Sequence, residues 1–243
     1  MQDTFAITRL LNDLFGGPVS ALQHAVGIQT TPATAIDNPF ALELLVTLGL
    51  ITFFIIVRAT LSVESPNPAQ QVAEMIHEAI GSQSEQIIGH GYERFQSFVT
   101  CIFLFVILNN LLGAIPGIPP PTAHPVEPLG LATVTFLYYN FHGIREQGLV
   151  GYIKHFAGPV WWMAWLILPI EVVSHLARVL SLTIRLYANM FASDMITLVF
   201  FSLIPVAIPA IFIGLHIAVS IIQAFVFMLL TMIYLSLATA HEH

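Results

Sequence analysis

Charged, imidazole and amide side chains stand inside two long apolar runs of this chain. Glu171, His175, Arg178, Arg185, Asn189 and Asp194 lie between Val160 and Ile204, and His216 and Gln223 lie between Val206 and Ala240. Their chemistry is that of moving protons. Carboxylates take and release a proton, imidazole has an ordinary pKa near neutrality, and a guanidinium stays charged throughout. An ionised side chain in hydrocarbon is unfavourable by about 2.5–3.5 kcal/mol on insertion scales. A chain that keeps several there is using them.

Spacing organises these residues. Glu171, His175, Arg178, Leu182, Arg185 and Asn189 step by four, three, four, three and four, which is one stripe along a helix. His216, Ser220, Gln223 and Phe227 repeat those steps on the second run. Two such stripes on adjoining helices make a wet seam through lipid. Ser181, Ala188 and Ala192 share the Arg185 face, and small residues let another helix come close. Asp194 follows Arg185 by nine residues, about half a turn away around the helix axis, and Glu171 precedes it by fourteen. Arg185 is therefore expected to find its acid on another subunit. His175 and Arg178 remain open between a proton-carrying role and a structural one, since His175 pairs naturally with Glu171 at i,i+4.

The elements that must hold these residues are membrane helices. Hydrophobic residues make up 56% of the chain and charged residues 9%, against roughly 25% charged in a soluble domain. Lipid admits only helices or closed barrels, and the apolar runs do not alternate with period two. The fold class expected is all-α: a polytopic helical membrane protein in a single membrane domain, residues 1–243. It comprises an N-terminal interfacial segment (1–38), about five membrane helices and a long C-terminal helix hairpin, tilted if each of its runs crosses only once. Spans are expected at 40–61, 98–115 and 129–143, with an amphipathic surface helix carrying Val72, Met75, Ile76, Ala79 and Ile80 between the first two. A stiff loop from Pro116-Gly117 to Pro128 follows the second span, and Arg145, Glu146, Lys154 and His155 mark the next loop. The runs 160–204 and 206–240 correspond to roughly 67 and 50 Å of helix. Each is too long for one perpendicular crossing, and 160–204 reads equally as two spans or one strongly tilted helix. Pro205 and Pro209 mark the hairpin.

Phe5, Leu10, Leu14 and Phe15 fit a short amphipathic N-terminal helix, with a partly disordered tail as the alternative. Asp3, Arg9 and Asp13 exclude a secretory signal peptide. Arg58, Arg94, Arg145 and Lys154 fall in loops that share one side, which places those loops and the C-terminus in the cytoplasm and the N-terminus outside. Arg9 is the one dissenter. Trp161, Trp162 and Trp165 read as interface anchors, and His24, His77, His90, His241 and His243 as surface residues.

The segment Ser181-Leu-Thr-Ile-Arg185-Leu-Tyr-Ala-Asn189-Met-Phe-Ala-Ser-Asp194 resembles the signature of F-type ATP synthase subunit a. So do His216-Ile-Ala-Val-Ser-Ile-Ile-Gln223-Ala-Phe-Val-Phe-Met, the following Thr231-Met-Ile-Tyr234-Leu, and Asn109-Asn110-Leu-Leu-Gly113-Ala-Ile-Pro116-Gly117. The likeness spans most of the chain from about Phe40. It implies that Arg185 is the essential arginine facing a ring of c subunits, with Gln223 beside it on the neighbouring helix and Asn189 one turn beyond. It implies that Asp194 and His216 line an outer half-channel and that Glu171 is the acid of the inner one. It further implies a hetero-oligomeric F0 sector with b subunits of a peripheral stalk, in an energy-transducing membrane such as the bacterial plasma membrane, and no cofactor. Ala188 and Ser193 stand where many members have glycine, and Asp194 where many bacterial members have glutamate.

Other functions fit less well. A net charge of −7 offers no basic footprint for nucleic acid. No GxxxxGK[ST] is present for binding ATP, so the isolated chain is not expected to be an enzyme. The single Cys101 precludes a CxxC site and reads as a small buried hydrophobe. A membrane cytochrome needs facing histidines at matched depth, and only His175 and His216 lie well inside. A proton-coupled secondary transporter is the main alternative, but it predicts repeated halves with broken helices, and no repeat is present.

Overall fold

The computed structural model describes residues 5–25, 27, 29–62, 65–115, 117–157, 164–203 and 207–239. Seven helices follow one another among them: α1 (Ala6–Ala25), α2 (Asn38–Ala59), α3 (Pro68–Ile88), α4 (Glu93–Leu112), α5 (Val126–Ala157), α6 (Ala164–Leu203) and α7 (Ala207–Thr239). No strand occurs among the described residues. Pro116, Trp161, Trp162, Pro205, His241 and His243 lie outside them.

Local chemistry sets the boundaries. Asp37 caps α2, accepting from the Phe40 amide at 3.3 Å, and Pro39 in the first turn gives up no hydrogen bond there. A short 3-10 turn, Pro121–Ala123, sits within the proline-rich loop between α4 and α5. In α5 the run passes through Arg145 and Glu146, so the loop expected at those residues is helical instead. The break comes at Gly148, whose φ of 72° is left-handed and open to glycine. The first part of α5 carries 129–143.

Length and apolarity suffice to cross a membrane in α2, α4, α6 and α7, and α5 is the more polar fifth member of the bundle. The overlong run before the hairpin is one continuous helix. α6 has 40 residues, about 60 Å, and Pro169 lies within it. Its partner α7 has 33 residues.

Helix α7 is central. One apolar cluster joins Ile80 of α3, Phe95 and Val99 of α4, Tyr139 of α5 and Met228, Met232 and Leu235 of α7. A second joins Ile102 and Val106 of α4, Ala132 of α5, Leu182, Leu186 and Met190 of α6, and Ala224 and Phe227 of α7. At one end Arg94 of α4 bonds Glu146 of α5 at 2.9 Å, so the Arg94 and Arg145 ends of these helices are neighbours. Large apolar side chains are left outward on α2 and α6 in numbers that only lipid or a partner can accommodate. α6 is far less buried in the bundle than α4. Trp165 is exposed, and Cys101, expected inside, lies on the outward face of α4.

The N-terminal segment is helical rather than a loose tail. Its Asn12 amide donates to the Ile36 carbonyl and its carboxamide oxygen accepts from the Ile36 amide, both at 2.9 Å. This two-point clamp ties α1 to the start of α2. Asn12→Ala leaves two buried backbone groups of Ile36 unpaired, and a loss of about 1–3 kcal/mol is expected. Limited proteolysis checks it: cleavage between α1 and α2 should become faster, with the α6–α7 region unaffected.

Candidate functional site

The α6–α7 contact brings the two predicted stripes face to face. His216, Ser220, Gln223 and Phe227 are all buried on α7. Asn189 donates through Nδ2 to Gln223 Oε1 at 2.9 Å, joining the helices one turn beyond Arg185. The Ser220 hydroxyl points at Met190 Sδ, 3.9 Å away.

His216 is held at both ring nitrogens. Nε2 lies 3.1 Å from the Asn110 carbonyl, which can only accept, so Nε2 carries the proton. Nδ1 then accepts from the Ser193 hydroxyl at 2.7 Å. Asn110 itself receives the Thr122 hydroxyl at 2.7 Å and donates to the Ser220 carbonyl at 3.5 Å. A buried polar chain therefore runs from the proline-rich loop through α4 to α6 and α7. Asp194, next to Ser193, is within electrostatic reach of His216. It also lines a cavity of about 460 Å³ whose wall includes Asp37, Asn38, Pro120 and His124.

Toward the other end of α6, Glu171 is gathered with an imidazole and a guanidinium. His175 Nε2 lies 3.4 Å from its Oε1 and Arg178 lies 3.9 Å from it. His175 Nδ1 meets the Tyr139 hydroxyl at 3.2 Å, and the Arg178 guanidinium covers the Tyr234 ring at 5.3 Å. The i,i+4 pairing expected of His175 is present, and it belongs to a cluster drawn from α5, α6 and α7.

Arg185 sits between the two clusters, about 21 Å along the helix from Glu171 and about 14 Å from Asp194. It is half-buried, and Ser181, Ala188 and Ala192 on its face are exposed. Among the described residues no carboxylate lies within ion-pairing range of it. The sequence stripes did not single out Asn110, Thr122, Tyr139, Asp37 or His124. Asn110 had a signal of its own as an amide inside an apolar helix. The others come from loops or a different helix, and only folding brings them in.

The family described as ATP synthase A chain matches residues 41–236. The chain belongs to the ATP synthase A chain family. It is similar to the ATP synthase subunit a of Koribacter versatilis (strain Ellin345), 49% identical over 237 residues that cover 97% of each chain. It is also similar to that of Solibacter usitatus (strain Ellin6076), 43% identical over 96% of this chain and 100% of the relative. That of Solidesulfovibrio magneticus (strain ATCC 700980 / DSM 13731 / RS-1) is 39% identical over 96% and 90%. Membership in the ATP synthase A chain family, together with the apolar helices, makes this an integral membrane protein of ATP synthesis and hydrogen-ion transport.

One steric feature fixes the histidine. A Cβ on Gly113 would come within 2.7 Å of His216 Nε2 and 2.8 Å of Pro120. Gly113→Ala is expected to displace the imidazole from the Asn110 carbonyl and to destabilise by about 1–3 kcal/mol through overpacking. Nitrogen resonances of the His216 ring in the purified subunit check this: both should move, whereas Gly130→Ala, on α5 where a Cβ meets open space and the φ is negative, should leave them in place.

Proposed function

We propose that this chain is the proton-translocating subunit of the F0 sector of a rotary ATP synthase, supplying two offset half-channels and the arginine that faces the c-ring carboxylate. The observation that carries the reading is Arg185, a guanidinium on an exposed small-residue face, between two polar clusters and with no carboxylate partner among the described residues.

In this reading a proton enters from the outer compartment through the cavity lined by Asp37, His124 and Asp194. It passes by His216 to a carboxylate on the c ring, with Ser220, Asn189 and Gln223 shaping the polar seam. The neutralised carboxylate travels nearly a full turn through lipid and releases its proton near Glu171. His175, between Glu171 and Tyr139, belongs to this exit, and Arg178 holds the exit carboxylate and packs on Tyr234. Arg185 keeps the passing carboxylate ionised and separates the two half-channels, so protons cross only with rotation.

The magnitudes are compatible. At ~4 Å and an effective dielectric near 20, a carboxylate–guanidinium pair gains about 4 kcal/mol. That is close to the roughly 2.5–3.5 kcal/mol needed to hold arginine in the membrane, so the pair forms and still parts. A membrane potential contributes about 2.3 kcal/mol per charge for each 100 mV. Partners in this reading are the c-subunit ring, the b subunits of the peripheral stalk and lipid. The site is a bacterial plasma or inner membrane, with the C-terminus cytoplasmic. A proton-coupled secondary transporter would gather its ionisable residues at one midplane site. Here Glu171 and Asp194 are about 35 Å apart along α6, which argues against it.

Arg185→Ala is expected to abolish ATP synthesis and ATP-driven proton pumping in membrane vesicles while the complex still assembles. Pumping at the wild-type rate in that variant would refute the role.

A further inference from the structure

One pair of acids, a buried Glu127 and a half-buried Glu43, is used by none of the steps above. Glu127 is the second residue of α5 and only 9% exposed, so it is nine-tenths buried. Neither of its carboxyl oxygens meets a hydrogen-bond donor among the described residues. The group within hydrogen-bonding reach is another carboxyl, that of Glu43 on α2. Two carboxylates offer each other only acceptors, so the contact becomes a hydrogen bond when one of them carries a proton. Like charges this close do not both persist out of water, which is the reason paired carboxyls at other sites share one proton. The proton is favoured on Glu127, the more deeply buried of the two, and the remaining negative charge on the half-buried Glu43. Among the described residues no positively charged group acts on either carboxyl, and the further charge acting on Glu43 is the carboxylate of Asp37. Asp37 lines the cavity that leads to Asp194.

We propose that Glu43 and Glu127 form a proton-sharing carboxyl pair, a protonation site beside the outer cavity that exchanges its proton with that cavity through Asp37. The occupant is a proton and not a metal ion: no cluster of three or more potential ligands occurs among the described residues. The exchange rests on the functional reading above, and the shared proton does not. The pair loads protons when the outer compartment is poor in them, and it is superfluous when that compartment is acidic.

Infrared difference spectra of the reconstituted F0 complex, recorded across a step from neutral to alkaline pH, test the first part. A carboxylic-acid carbonyl band is expected in the unmodified complex, absent in Glu127→Gln and shifted in Glu43→Gln. Passive proton flux through the same complex tests the second part. It is expected to fall severalfold in either variant when the outer compartment is alkaline, and to match the unmodified complex when it is acidic. Absence of the band from the unmodified complex, or its persistence unchanged in both variants, overturns the shared proton. Loss of the band with unaltered flux at every outer pH overturns the exchange. Should Glu127→Gln fail to assemble, Glu43→Gln gives both readouts from the other helix. Intact coupling in Arg185→Ala would remove the functional reading while leaving the infrared result standing, so the two failures are distinguishable.

Discussion

The arrangement depends on one guanidinium that has no carboxylate among the described residues, in a layer where charge is unfavourable. Every other basic, amide or imidazole side chain named along the α6–α7 seam has a partner within the chain. Asn189 has Gln223, His216 has Ser193 and Asn110, and Glu171 has His175 and Arg178. These partners satisfy buried groups that would otherwise each be unfavourable by a few kcal/mol. Arg185 is the exception, and the exception lies on the face the fold leaves open. A charge so placed is stable only with an external mate, which is why the reading turns on a second polypeptide.

That constraint gives the remaining helices their work. α7 is buried along the stripe that faces α6, and α4 and α5 pack behind it through Phe95, Val99, Val106 and Tyr139. α6 is consequently backed on one side and bare on the other. The proline-rich loop and Asn110 hold the imidazole of His216 from behind, while Gly113 leaves it room. At the far end, Tyr139 and Tyr234 come from the helices that back α6 and take up His175 and Arg178. Each end of α6 is thus positioned by a different set of neighbours, which keeps the two polar clusters separate.

Much of this was legible in the residues. Composition and run length fixed the helical membrane class, and the four–three stepping placed Glu171, His175, Arg178, Arg185 and Asn189 on one stripe. The absence of a nearby acid for Arg185 followed from counting residues around a helix. Run length alone left 160–204 divided between two spans and one, because roughly 67 Å of helix suits either, and its described residues form one helix. Charge misassigned Arg145 and Glu146 to a loop, since it reads as surface whether or not the backbone is helical. Cys101 went wrong for a reason particular to membranes: in lipid, an apolar environment does not imply the protein interior. Asn110, Thr122, Tyr139, Asp37 and His124 lay beyond reach because their relation to the stripes is purely tertiary.

The bare face of α6 has a texture that bears on motion. Interdigitated large side chains lock two helices into register, as knobs in holes do, and cores packed this way resist sliding. Around Arg185 the exposed positions one and two turns away are Ser181, Ala188 and Ala192, with Leu180, Ile184 and Phe191 to the side. Small side chains permit close approach with little interlocking, so a facing helix gains dispersion contact without a deep register minimum. In the proposed mechanism that is what a rotor requires of its stator. The attraction must be specific at one charge and featureless elsewhere, because any second strong contact would hold the ring at one angle. Alanine at 188 preserves this condition, since it adds no side chain long enough to interlock.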